Sequence, residues 1–182
     1  MAAYSIYLAP PGVGPMTETE QFLATMSPRI TEAESALHNG DSGPRIAMWS
    51  RAEPLTLFVA AMSARVGEIG QVFGTLGKQF SNCLSYENKI IAAEAPGDLA
   101  YTVALGHTTA SINGAEPTPC VLHVTTIFRR EDGEWKVVHR HGDALTEDSA
   151  AAVGRITPPG SAPEGWADQL PACRSLPNRI GC

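Results

Sequence analysis

Basic residues are scarce in this chain. Over 182 residues, 13 Lys and Arg stand against 19 Asp and Glu, a formal net charge of −6. Each phosphate contact requires a cation, and the longest basic run is the Arg129-Arg130 pair, so nucleic acid is excluded as a partner. Long apolar runs are missing as well. No stretch approaches the roughly 18 residues of a membrane span, and Met1 to Gly14 has no basic leader, which predicts a cytoplasmic protein without a membrane partner. Zinc-type cysteine spacing is absent from Cys83, Cys120, Cys173 and Cys182, all expected as free thiols. No Walker loop, dinucleotide fingerprint or nucleophile elbow occurs. Charged residues make up 18% against 43% hydrophobic, a balance that predicts a folded chain and excludes general disorder.

What is present divides into three zones: an irregular Pro/Gly-rich extension at 1–16, a periodic domain at 17–143 and a Pro/Gly-rich tail at 144–182. Met16, ahead of an acidic T-E-T-E run, is a candidate true start. The tail holds Pro158, Pro159, Pro163, Pro171 and Pro177, which precludes a long helix or a central strand there. Trp166 is expected to anchor it, and a Cys173–Cys182 bridge would close a short loop.

Within the domain, Thr17 and Glu20 form a possible capping box. Leu23, Met26, Ile30, Ala33 and Leu37 then recur at helical spacing, giving one helix kinked near Pro28 or two. His38, near the helix end, is expected as a surface group favoured by the helix dipole. Gly43-Pro44 opens a short helix ending near Trp49, and Leu55 to Val59 reads as a strand. A further helix carries Val66, Ile69, Phe73, Leu76 and Phe80 on one stripe, with Gly67, Gly70, Gly74 and Gly77 beside it. Those glycines suggest close approach by a sheet or a second subunit. From Cys83 the period becomes two, giving strands at 83–95, 99–112, 120–130 and 135–143 separated by turn signals. Helices followed by a long antiparallel meander predict an α+β fold.

Strict alternation sorts the strand side chains by face. Trp135, Val137, His139, His141 and Asp143 share one, which the tryptophan marks as the inner one. Val121, His123, Thr125 and Ile127 share another, and Tyr101, Val103, Leu105 and His107 a third. Four of the five histidines thus fall on three consecutive strands. Trp49 and Trp135 read as core or cavity wall.

The run V-T-T-I-F-R-R-E-D-G-E-W-K-V-V-H-R-H-G-D, Val124 to Asp143, resembles the closing hairpin of SnoaL-like proteins in the nuclear transport factor 2-like superfamily. A-M-W-S at 47–50, L-T-L-F at 55–58 and G-D-L-A-Y-T-V at 97–103 extend the resemblance over about Glu18 to Asp143. It implies a cone-shaped curved antiparallel sheet wrapped around N-terminal helices, and a cavity shared with ketosteroid isomerase, polyketide cyclases and limonene epoxide hydrolase. Thr125, Trp135, His141 and Asp143 fit the family pattern. His123 departs from it, since arginine is usual there.

Three uses of these residues follow. In the first, a small apolar organic molecule is bound in a pocket lined by Trp49, His107, Thr125, Trp135 and His139. Isomerisation, cyclisation or hydrolysis there would need no cofactor, with Asp143 and His141 as acid/base pair, Tyr101 or His107 to polarise a carbonyl, and His123 as a further catalytic candidate. In the second, His139, His141 and Asp143 converge on zinc or iron. The resemblance does not support this, and no metal is expected. In the third, the chain is a non-catalytic binding or oligomerisation module, as in the calcium/calmodulin-dependent kinase association domain. A homodimer joined through its sheet is expected.

Overall fold

The computed structural model describes residues 15–59 and 62–144. The expectations for residues 1–14, for the tail beyond Ala144, and for Trp166, Cys173 and Cys182 lie outside the described residues.

Helix α1 runs Glu18–Leu37 and starts with the anticipated capping box. The Glu20 N–H donates to the Thr17 hydroxyl at 3.2 Å, and the Thr17 N–H donates to the Glu20 carboxylate at 2.8 Å. Two otherwise orphaned donors are thereby satisfied. Pro28 lies inside α1 without ending it. The lost hydrogen bond is offset by the buried stripe Phe22, Met26, Ile30, Ala33 and Leu37. Phe22 takes the deepest contact, edge-on to Phe128 at 5.1 Å and to Trp135 at 5.2 Å, while Leu23 packs at the margin of the core.

Helix α2 (Gly43–Ala47) and helix α3 (Ile69–Gly77) flank a short hairpin of β1 (Thr56–Val59) and β2 (Met62–Ala64). The meander follows as β3 (Phe80–Glu94), β4 (Leu99–Ile112), β5 (Thr118–Glu131) and β6 (Glu134–Ala144). Phe80 begins β3 and does not extend the α3 stripe. The six strands form one sheet in the order β2-β1-β6-β5-β4-β3. The expected all-antiparallel sheet is corrected in one place, because β1 pairs parallel with β6. This parallel pair is possible because the chain between them is long enough to cross over.

The core lies between α1 and the inner sheet face, with Phe22, Met26, Leu57, Phe73, Phe128 and Val137 almost fully enclosed. Trp49 and Trp135 are both buried in it, as the sequence implies. The glycine stripe is only partly a close-approach surface. A Cβ at Gly77 would sit 3.2 Å from the Gly40 carbonyl oxygen, whereas at Gly67, Gly70 and Gly74 it would meet nothing within 4 Å. Gly67 precedes α3, and its φ of +88° explains why glycine stands there.

Candidate functional site

The closing strand does not alternate strictly. Ile127 pairs with His139, but Phe128 pairs with Val137, so Val138 is an extra residue in β6, a β-bulge. Before the bulge Trp135 and Val137 face the core; after it the inward positions are Arg140 and Gly142. His139, His141 and Asp143 are thereby turned to the outer face, contrary to the inner placement expected for them. The neighbouring strands agree. Tyr101, His107, His123 and Thr125 also stand on the outer side, opposite the buried Ala100, Thr102, Thr108, Val124 and Thr126.

The sequence-derived pocket is therefore divided. Trp49 and Trp135 lie inside, while Tyr101, His107, His123, Thr125, His139, His141 and Asp143 share the outer face. There they form cross-strand rows. Phe58, His141, Thr125 and Val103 align across β1, β6, β5 and β4, and His139, Ile127 and Tyr101 form the next row. His141 Nε2 is 2.8 Å from an Asp143 carboxylate oxygen, and His139 Nδ1 is 2.7 Å from the Thr56 hydroxyl. Burial, aided by the neighbouring His141, lowers the His139 pKa. Among the described residues no group of three or more His, Cys, Asp or Glu is placed to hold a metal ion.

The polar chemistry on the inner face comes from other residues. Glu34, one turn beyond Ile30 on the buried face of α1, is 3% exposed. Its Oε1 lies 3.2 Å from Arg45 Nε and accepts a long 3.4 Å hydrogen bond from Arg140 Nη2. The Arg45 guanidinium also lies 5.4 Å from the Phe73 ring centroid and 6.0 Å from that of Trp49. His38, expected at the surface, is 2% exposed. It stacks on Tyr86 at 5.7 Å, and its Nδ1–H donates to the Glu34 carbonyl at 2.7 Å. A carbonyl oxygen can only accept, so the proton is on Nδ1 and Nε2 is left as an acceptor.

Two glycines shape this cluster. A Cβ at Gly142 would collide with the Arg140 guanidinium, and one at Gly106 would lie 3.2 Å from the Tyr86 hydroxyl. The electrostatics are tightly set. Burial alone would raise the Glu34 pKa, but Arg45 and Arg140 together outweigh it and hold the carboxyl below its ordinary value. Burial lowers the His38 pKa in spite of Glu34, and burial raises that of Tyr86. At neutral pH the cluster thus comprises an ionised carboxylate, two guanidiniums, a neutral imidazole and a neutral phenol. A carboxylate pinned by two arginines is a weak base, while the phenol remains a hydrogen-bond donor. A carboxylate on the apolar stripe of α1 is the signal that would have found Glu34; Arg140 was hidden by the bulge.

Space is unevenly distributed. The cavity lined by Glu34, Arg45, Tyr86, Asn88, Thr126 and Arg140 leaves only about 10 Å³ for the centre of a water-sized occupant. On the far side of α2, an open cleft of about 760 Å³ lies between α2, α3 and the β5–β6 hairpin. Ile46, Trp49, Val66 and Ile69 form its apolar wall, with Ser50, Arg51, Glu131 and Lys136 as polar groups. Arg129 and Ser50 both bond the Glu131 carboxylate and fix one side of it.

Residues 30–146 match the family model of the SnoaL-like domain. No curated protein matches the chain in sequence. Among solved structures, a ketosteroid isomerase-like protein from Erwinia carotovora atroseptica SCRI1043 superposes with a TM-score of 0.55 at 16% identity, covering 68% of this chain and 96% of that one. An NTF2-like protein of unknown function in nutrient uptake from Rhodospirillum rubrum ATCC 11170 gives 0.52 at 19% identity, covering 68% and 98%. An NTF2-like protein of unknown function from Shewanella baltica OS155 gives 0.52 at 16% identity, covering 73% and 100%. At these identities the likeness is one of fold. Among the described residues no helix is long and apolar enough to cross a membrane.

Proposed function

The chain belongs to the SnoaL-like domain family, and from that premise we propose that it binds a small, largely apolar organic molecule in the cleft beside Trp49, without a cofactor. The observation that carries this reading is the size and lining of the cleft. About 760 Å³, walled by Ile46, Trp49, Val66 and Ile69 with a few polar groups, matches the form of a small-molecule site. The concave cavity that the fold resemblance implied as the binding place is filled by the Glu34 cluster. With Glu34 pinned by two guanidiniums, binding without turnover is favoured over acid/base catalysis on that inner face.

The test uses Gly70, which lines the cleft and has open space where a Cβ would project. Tryptophan there should project into the cleft and obstruct it while also removing a helix-weakening glycine. Native mass spectrometry of gently purified protein is expected to retain an organic adduct on the wild type and none on Gly70→Trp. Affinity for the apolar dye anilinonaphthalene sulfonate should fall at least about tenfold, equivalent to roughly 1.4 kcal/mol. Equal dye affinity in both proteins, with no adduct on either, would overturn the reading.

A second element of the proposal is self-association through the outer sheet face. Phe58 on β1, Ile127 on β5 and Tyr101 and Val103 on β4 are 37–48% exposed, with His139 and His141 of β6 between Phe58 and the rest, an exposed apolar face of the kind that marks an interface. A two-fold axis through it would bring His123, His141 and Asp143 of each copy into the same boundary. We assign those residues to assembly and not to proton transfer. Light scattering should give twice the 19.3 kDa chain mass for the wild type and a single chain for Val103→Glu, with an unchanged circular dichroism spectrum. A monomeric wild type would refute this part.

A further inference from the structure

We propose that the narrow cavity between α1 and the inner sheet face is a binding site for a halide ion, held by Arg45 and Arg140. The two guanidiniums and Glu34 leave one positive charge without a counter-charge. Glu34, His38, Arg45, Tyr86 and Arg140 are the titratable groups acting on one another here. His38 and Tyr86 are neutral at pH 7, because burial disfavours imidazolium and phenolate alike. The side chains of Arg45 and Arg140 are 2% and 4% exposed, so water does not screen that charge from outside. An isolated buried cation is strongly disfavoured unless paired.

The hydrogen bonding points the same way. The Nε–H groups of both Arg45 and Arg140 are buried without an acceptor. Arg45 Nε is within ion-pair distance of Glu34, but its N–H is not aligned with the carboxylate. Both arginines line the cavity, along with Tyr86, Asn88, Thr102 and Thr126, whose hydroxyl and amide groups can donate. Donors therefore predominate, and Glu34 is the one charged acceptor among the lining residues.

Size selects the occupant. Room of about 10 Å³ for the centre of a water-sized occupant admits one water molecule or one monatomic ion and is too small for a carboxylic acid or a phosphate. Water would satisfy one or two N–H groups but leave the net charge unchanged. A halide lying between the two guanidiniums would accept from their N–H groups and neutralise the cluster. This site is separate from the Trp49 cleft and stands or falls independently of the ligand there.

Thermal unfolding in sodium chloride, sodium bromide and sodium gluconate at equal ionic strength tests it, because gluconate is too bulky to enter. Chloride and bromide are expected to raise the midpoint saturably over gluconate, by several degrees at about 100 times Kd. Arg140→Met leaves Glu34 paired with Arg45 alone and should abolish the difference. Tyr86→Phe, which keeps both guanidiniums, should retain it with weaker half-saturation. Identical wild-type midpoints in the three salts would mean that the cavity holds only water, and would overturn the proposal whether or not Arg140→Met folds. A halide effect that persists undiminished in folded Arg140→Met would place the ion elsewhere.

Discussion

Glu34→Gln is expected to destabilise the fold by about 3–5 kcal/mol, read as a shift in the urea midpoint, because it leaves the Arg45 and Arg140 guanidiniums buried together without a carboxylate. The substitution barely changes volume, so packing loss does not contribute. The cost arises from two like charges in a site that burial has already dried. Acid should act on the same groups. The folded-state pKa values of Glu34 and His38 both lie below their ordinary values of 4.5 and 6.5. Just below each ordinary value the unfolded chain takes up a proton that the folded chain refuses, so stability falls as pH falls. The wild type should lose stability in two stages, one beginning near pH 6.5 from His38 and one below about pH 4.5 from Glu34. In Glu34→Gln the lower stage should shrink and the upper one remain. A neutral-pH cost below about 1 kcal/mol would mean that the two arginines are hydrated and do not depend on Glu34.

Deleting Val138 is expected to remove the bulge without reversing either half of β6. With that residue gone, strict alternation carries Trp135 and Val137 inward, His139 outward and Arg140 and Gly142 inward, the faces they already hold, and Phe128–Val137 and Ile127–His139 become consecutive pairs. Arg140 keeps Glu34, and the tryptophan keeps its contact with Phe22. The loss should be about 1–3 kcal/mol, from the local bend and twist that the bulge supplies. Val138→Ala at the same position keeps the residue count, and its cost should stay near 1 kcal/mol. The comparison, read in urea midpoints, separates the effect of the extra residue from that of one half-buried side chain. Failure of the deletion to fold, with Val138→Ala intact, would show that the sheet needs the bend at this point to close over α1.

The change of face at the bulge also explains what was legible in the sequence. The helix start at Thr17, the short helix at Gly43, the four long strands and the α+β layout all follow from capping, turn and period signals, and each is found. The closing-hairpin residues fit their family, and the family match covers 30–146. Side-chain faces in β4 and β5 depended on the face chosen for β6, and that choice rested on Trp135. A β-bulge has no composition of its own here: V-V-H-R-H reads as unbroken alternation. His38 was misplaced for a different reason. A helix-terminal histidine is ordinarily a surface group, but β3 folds back over this helix end and brings Phe80 to 4.5 Å from the imidazole. The parallel β1–β6 pairing was likewise hidden, because it joins segments some 80 residues apart with no local turn to announce it.

That pairing has a consequence for the order in which the molecule is built. Strands β3 to β6 join neighbours through short turns and can zip from any of their three hairpins. Strand β1 has one antiparallel neighbour, the three-residue β2, and must wait for β6 before it gains a second. Closing a loop of that length carries an entropy cost before any contact compensates it. Glu34 likewise meets Arg140 across 106 positions. Contact order therefore favours the meander as the earlier unit and the N-terminal half as the later one. A ribosome delivers them in the opposite order: α1 emerges with its carboxylate-bearing apolar stripe exposed, and it must remain soluble until the final strand of the domain is made.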